Sequence, residues 1–240
     1  MTRRVSAVSF DLFGTLLSYD VWQDGGQFLD RLARERGVPL SGVDLLARWI
    51  GESVRARSGE SFVTLEDSLR EGLERIFRER NIPDRVGPWM EGLLEFWRSR
   101  PLYDDVLPCM DRLPVRACIV SNVDQAHLEA ILAATGLGSR VAFALSSEEA
   151  GAYKPHPRIF QLAARRFGLP PESILHVGDS LVDDVVGAKR TGFAAAWLNR
   201  RGAARPSEFP GDFALRELHE LFERVAFAPQ PATGGSSTAR

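Results

Sequence analysis

Four groups of polar residues in this chain each follow a short apolar run, at residues 11–15, 121–122, 154 and 179–184. Together they contain carboxylates, hydroxyls, an amide and a lysine. A carboxylate can attack an electrophile or ligate a hard cation, while hydroxyl, amide and ammonium groups donate hydrogen bonds to anionic oxygens. One site built from all four groups would combine these abilities, provided that the fold brings them together.

The apolar runs associated with these groups have the length and composition of β-strands. Strands are predicted at residues 5–10, 117–120, 141–145, 174–177 and 194–198. Helix-like stretches at residues 125–134, 157–167 and 184–191 alternate with the later strands. This alternation predicts an α/β fold with a doubly wound, Rossmann-like parallel sheet. In such a sheet ligands bind at the carboxyl ends of the strands, so we expect the four polar groups to converge there.

A long segment separates the first two predicted strands, because Thr15 and Ser121 are 106 positions apart. A simple crossover does not need this length. Apolar residues recur in it at helical spacing in four successive sets, which predicts a small bundle of amphipathic helices. We therefore expect a core domain of residues 1–16 and 101–226, a helical domain inserted at residues 17–100, and a disordered tail at residues 227–240.

Composition restricts the kind of partner. The formal net charge is −2, which argues against a nucleic-acid or anionic-membrane partner, and no apolar run approaches the roughly 18 residues of a membrane span. Cys109 and Cys118 are too few for a disulfide framework and are interpreted as buried thiols. We expect a cytoplasmic protein, a monomer or homodimer, that acts on a small molecule.

The four polar groups, in this order and spacing, resemble the signature motifs of the haloacid dehalogenase superfamily over residues 5 to about 200. The stretches at residues 151–160 and 187–192 are similar to the phosphatase-like branch of that superfamily. The helical insert is similar to its cap domain. This resemblance implies a hydrolase in which Asp11 is the nucleophile.

The resemblance also implies a magnesium site. Asp11 and Asp179 would bind Mg²⁺ directly, the backbone carbonyl of Phe13 would add an oxygen, and Asp184 would hold metal-bound water or ligate the ion itself. Oxygen ligands are those that Mg²⁺ prefers. A carboxylate can approach an anionic phosphoryl group when such a cation reduces their repulsion.

The remaining residues of the motifs would support the nucleophile. Lys154 would place its ammonium beside Asp11 and the transferring group, and Ser121 and Asn122 would donate hydrogen bonds to phosphate oxygens. Thr15 would brace the loop by hydrogen bonding near the nucleophile.

Phe13 departs from the phosphatase pattern, which has a second Asp at this position as acid and base. Such help contributes ~10² to 10⁴ in rate. We expect Mg²⁺-dependent hydrolysis of a small phosphorylated substrate through an aspartyl-phosphate. Two alternatives stay open: a 2-haloacid dehalogenase, whose halide leaves without protonation, and a slow or inactive relative that only binds a phosphorylated ligand.

Overall fold

The computed structural model describes residues 4–57 and 61–229. Its centre is one sheet of six parallel strands in the order β3-β2-β1-β4-β5-β6. The strands are β1 (Ala7–Phe10), β2 (Arg116–Ser121), β3 (Phe143–Ser146), β4 (Ile174–Gly178), β5 (Ala194–Leu198) and β6 (Phe213–Leu215). The predicted doubly wound α/β fold is confirmed. The sixth strand was not predicted, because three residues are too few to show a period.

Helices cover both faces of the sheet, which is why the strands read as continuous apolar runs. Successive residues of β1 point to opposite faces: Val8 and Phe10 belong to one apolar cluster and Ala7 to the other. The helices of this part are α5 (Val106–Arg112), α6 (Gln125–Thr135), α7 (Ser147–Ala150), α8 (Pro157–Phe167), α9 (Gly187–Arg190) and α10 (Leu221–Arg224). The four helices of the insert precede them in the chain.

The helical insert between β1 and β2 contains α1 (Gln23–Glu35), α2 (Gly42–Ala56), α3 (Leu65–Glu79) and α4 (Val86–Arg98). Its apolar faces form a separate cluster centred on Leu29, Leu45, Trp49, Leu73 and Trp89. The spacing of these apolar residues is what predicted the helices. We propose residues 17–100 as the inserted domain, and we call the remaining described residues, which carry the six-stranded sheet, the sheet domain.

Three local features complete the fold. Where a regular helix was predicted at residues 184–191, the structure has a π-helical turn at Leu181–Val186 followed by α9. Phe227, at the start of the predicted tail, forms a bridge with Val5, and residues 230–240 lie outside the described part of the chain. No helix within the described ranges is long and apolar enough to cross a membrane.

Candidate active site

Asp11 stands directly after β1, at the carboxyl edge of the sheet. Its backbone N–H donates to the carbonyl of Val177 at 2.9 Å, and its side chain is buried. Gly14 then turns the chain with a φ of +79°, a conformation that side chains other than glycine rarely adopt. A Cβ at this position would lie 2.5 Å from Oδ2 of Asp179. Glycine is therefore required here both by the turn and by the close approach of Asp179.

Lys154 reaches Asp11 from the loop between α7 and α8. Its Nζ donates to Oδ1 of Asp11 at 2.5 Å and to Oδ1 of Asp184 at 2.7 Å, and the side chain is almost fully buried. Burial alone would lower the pKa of Lys154, but the two carboxylates raise it above its ordinary value. The lysine is therefore a fixed positive charge between two carboxylates.

Two further carboxylates approach Asp11 from the chain after β4: Asp179 directly follows the strand, and Asp184 lies in the π-helical turn Leu181–Val186. One oxygen from each of the three lies within 4.8 Å of the others. Burial, and then the charges of Asp11 and Asp184, raise the pKa of Asp179 to about 8. Burial also raises the pKa of Asp11, against the opposing effect of Lys154. With all three carboxylates ionised, the single ammonium leaves an excess of two negative charges, which a divalent cation would balance.

Asp184 is oriented by a buried chain of hydrogen bonds. His176 Nε2 lies 3.1 Å from Oδ1 of Asp184, and His176 Nδ1 lies 2.8 Å from the hydroxyl of Ser9. The backbone N–H of Ser180 donates to Oδ2 of Asp184 at 2.9 Å. Burial would raise the pKa of Asp184, but Lys154 and His176 outweigh it and hold the pKa below its ordinary value. Gly178 leaves the space that this carboxylate occupies, since a Cβ there would lie 2.2 Å from Cγ of Asp184.

Asn122 holds the backbone of Lys154. Its Nδ2 donates to the carbonyl of Lys154 at 3.1 Å, and its Oδ1 accepts from the N–H of Lys154 at 2.7 Å. The sequence predicted a different partner for this amide, the oxygens of a phosphate. The structure thus links the loop after β2, which begins at Asn122, to the loop that carries the lysine.

Thr15 is buried in the loop after the nucleophile. Its carbonyl accepts from Nε and Nη2 of Arg200 at 3.2 and 3.0 Å. In the described part of the chain its hydroxyl oxygen has no hydrogen-bond partner. The predicted bracing of this loop is therefore made through the carbonyl of Thr15 and not through its side chain.

The predicted site residues Asp11, Phe13, Ser121, Asn122, Lys154, Asp179 and Asp184 share one cavity of about 150 Å³. Phe13 packs in the cavity wall against Tyr19 and Trp97, with ring centroids 5.5 and 5.8 Å away. Asp183, to which no role was assigned from the sequence, also lines the cavity. Burial raises the pKa of Asp183 to about 6. Its place beside Asp184 in the fourth polar group was the available signal.

Three carboxylates and a buried lysine meet at the carboxyl edge of a doubly wound sheet, and this arrangement defines the class of site, an acidic catalytic centre with a carboxylate nucleophile. The family model of the haloacid dehalogenase-like hydrolases matches residues 5–192, and the chain belongs to that family. The expected superfamily membership is confirmed.

Relatives in this family carry two different activities. The chain is 30% identical over 231 residues to phosphoglycolate phosphatase of Xanthomonas campestris pv. campestris, covering 94% of this chain and 98% of the relative. It is 28% identical over 209 residues to haloacetate dehalogenase H-2 of Moraxella sp. (strain B), covering 84% and 89%. An L-2-haloacid dehalogenase crystal structure superimposes with a TM-score of 0.76 at 25% identity, covering 92% of this chain and 99% of that one. Family membership therefore leaves both reactions as candidates.

Proposed function

We propose that this chain is a Mg²⁺-dependent hydrolase of small phosphomonoesters that uses Asp11 as its nucleophile. The observation that carries the proposal is the meeting of Asp11, Asp179 and Asp184, with one oxygen of each within 4.8 Å of the others. Three carboxylates so close together repel one another, and Lys154 offsets only part of this charge. An oxygen donor set with excess negative charge suits Mg²⁺.

These three carboxylates, with the backbone carbonyl of Phe13, are the groups that we assign to the ion. When bound, Mg²⁺ would supply the positive charge that allows a carboxylate to approach a phosphoryl group. The fit rests on the chemistry of the donors, since all are oxygens and the carboxylates are already gathered at one edge of the sheet.

Asp11 performs the first step in this proposal. Lys154 donates to Oδ1 of Asp11, which leaves Oδ2 as the attacking oxygen. Oδ2 forms a bond to phosphorus while the ester oxygen leaves with its electron pair, producing an aspartyl-phosphate and an alkoxide or phenoxide. Ser121 and Lys154 donate hydrogen bonds to the phosphoryl oxygens as charge spreads over them.

Water completes the reaction in the second step. A water molecule attacks phosphorus, the bond to Asp11 breaks with its electron pair on the carboxylate, and inorganic phosphate leaves. Phe13 cannot protonate the leaving group, so we expect substrates with acidic leaving groups, such as p-nitrophenyl phosphate, to react fastest.

The test is a panel of p-nitrophenyl phosphate, phosphoglycolate, sugar phosphates and nucleotides, each with Mg²⁺ and with EDTA. We expect turnover only with the metal, and its loss in Asp11→Asn. Asp111→Asn is the matched control, because Asp111 is an exposed carboxylate paired with Arg140 on the surface. Activity that persists in EDTA, or in Asp11→Asn, contradicts this mechanism.

A 2-haloacid dehalogenase is the second candidate, and Phe13 favours it because a halide leaves without a proton. In that reaction the carboxylate of Asp11 displaces halide from carbon, and water hydrolyses the resulting ester. Release of chloride from 2-chloropropionate in EDTA would support this candidate. Trapping of beryllium fluoride on Asp11 with no turnover of any substrate would instead support a ligand-binding relative.

A further inference from the structure

The start of helix α3 in the helical insert is held by a side chain from the sheet domain. Asp124, in the loop after β2, accepts hydrogen bonds from the backbone N–H of Leu65 at 2.8 Å and from that of Glu66 at 2.7 Å. The side chain of Asp124 is buried. One carboxylate therefore links the loop after β2 to the start of α3, although Asp124 is 59 positions from Leu65 and 58 positions from Glu66 in the chain.

These two bonds provide acceptors for backbone N–H groups that have no acceptor within α3. The first N–H groups of a helix have no partner within the helix. Thr64 Oγ1 accepts from the N–H of Asp67 at 3.1 Å, which leaves those of Leu65 and Glu66 for Asp124. A negative charge is also favourable at this end of the helix.

Asp124 makes these bonds although it also precedes its own helix. It is the N-cap residue of α6, but its side chain forms no capping bond there. The first N–H of α6, from Gln125, is instead bonded to Oε2 of Glu148 at 2.8 Å. The carboxylate of Asp124 therefore bonds α3 of the helical insert and not α6.

A second contact lies beside the first. The hydroxyl of Tyr153 donates to the carbonyl of Val63 at 2.8 Å, and the Tyr153 ring stacks on Phe62 with a centroid distance of 5.1 Å. His127 Nε2 lies 3.0 Å from Oε2 of Glu66. The insert is therefore anchored to two separate loops of the sheet domain.

Both loops carry residues of the proposed active site. Asp124 follows Asn122 by two positions, and Tyr153 directly precedes Lys154. Asn122 joins the loops through its two hydrogen bonds to the backbone of Lys154. A change in the position of the insert would therefore move the loop that carries Lys154, whose ammonium contacts Asp11.

We propose that Asp124 and Tyr153 are positioning residues that hold the helical insert over the site and thereby fix Lys154 beside Asp11. We call the contacts of these two residues with the insert the latch. In this view the insert affects the chemistry through the two loops and not only by covering the cavity. The latch rests on the proposed function only for its kinetic readout. Its structural part can be measured without any substrate.

The structural test is hydrogen exchange at the backbone amides of Leu65 and Glu66, followed by NMR. In Asp124→Ala both amides lose a charge-assisted bond, and we expect at least about tenfold faster exchange. Glu148→Ala is the matched control, because it removes a neighbouring carboxylate that bonds α6 and not the insert. Unchanged exchange at both amides in Asp124→Ala overturns the latch.

The kinetic test uses p-nitrophenyl phosphate with Mg²⁺, well below the melting temperature. We expect kcat to fall about tenfold in Asp124→Ala, and several-fold in Tyr153→Phe, which keeps the stacked ring, with a smaller change in KM. Faster exchange with wild-type kcat in both variants would make the contact purely structural and overturn the positioning role.

Different results would contradict the proposed function and the latch. If the wild-type chain hydrolyses no phosphomonoester, the proposed function is wrong, and the same kinetic comparison is made with 2-chloropropionate. If the wild type turns over neither substrate, the exchange rates of Leu65 and Glu66 alone decide the latch.

Discussion

Replacing Lys154 by methionine tests the electrostatics of the site most directly. The ammonium bonds Asp11 and Asp184 at 2.5 and 2.7 Å, and the side chains of Lys154 and Asp184 are only 2% and 1% exposed. Removing one partner of such a buried pair costs ~3–5 kcal/mol, because the remaining charge is left uncompensated. For a chain of this size each kcal/mol lowers the melting temperature by about 2–4 °C. We therefore expect Lys154→Met to melt roughly 6–20 °C below wild type.

Thermal unfolding in EDTA, and again with Mg²⁺, measures this effect. We expect Mg²⁺ to raise the melting temperature of Lys154→Met more than that of wild type, because the variant has the larger excess of negative charge. Lys189→Met is the control: Lys189 pairs with Asp212 at 2.9 Å with both side chains about a third exposed, and such a pair contributes below ~1 kcal/mol. Equal destabilisation by the two substitutions would contradict the expected cost of leaving buried carboxylates without their lysine.

Two further predictions concern Asp179. Its pKa is raised by burial and by Asp11 and Asp184 from 3.8 to about 8, so between these values the folded protein keeps a proton that the unfolded chain has released. In EDTA the free energy of unfolding should therefore fall from pH 5 to pH 8, by on the order of a few kcal/mol. Urea unfolding should show this slope in wild type and a flatter one in Asp179→Asn. Gly14→Ala should weaken stabilisation by Mg²⁺, because its Cβ would displace Asp179. Gly37→Ala imposes a similar backbone strain (φ +66°) without a clash and should leave that stabilisation intact, as melting with and without Mg²⁺ would reveal. Equal responses of the two glycine variants to Mg²⁺ would contradict the steric argument.

The helices and strands that could be predicted are those in which buried apolar residues recur at a regular spacing or form a continuous run in the sequence. Residues 157–167 were predicted as a helix and form α8 with the same bounds, because apolar side chains recur on one face. The strand Phe213–Leu215 and the π-helical turn Leu181–Val186 were not predicted. The strand is too short to show a period, and a widened turn depends on contacts outside the local sequence.

The contacts of the active site also fall into those that could be predicted from the sequence and those that could not. The carboxyl ends of neighbouring parallel strands necessarily share an edge, so the sequence could predict that Asp11 and Asp179, which directly follow β1 and β4, meet there. Lys154 does not end a strand, and the loop between α7 and α8 brings it to the site. Two other contacts follow from the packing of the folded chain: Asn122 bonds the backbone of Lys154, and Asp124 accepts from the first N–H of α3. The reason is physical: residue type and spacing specify which side chains are buried and on which face, whereas the partner of a buried polar group depends on how distant segments pack.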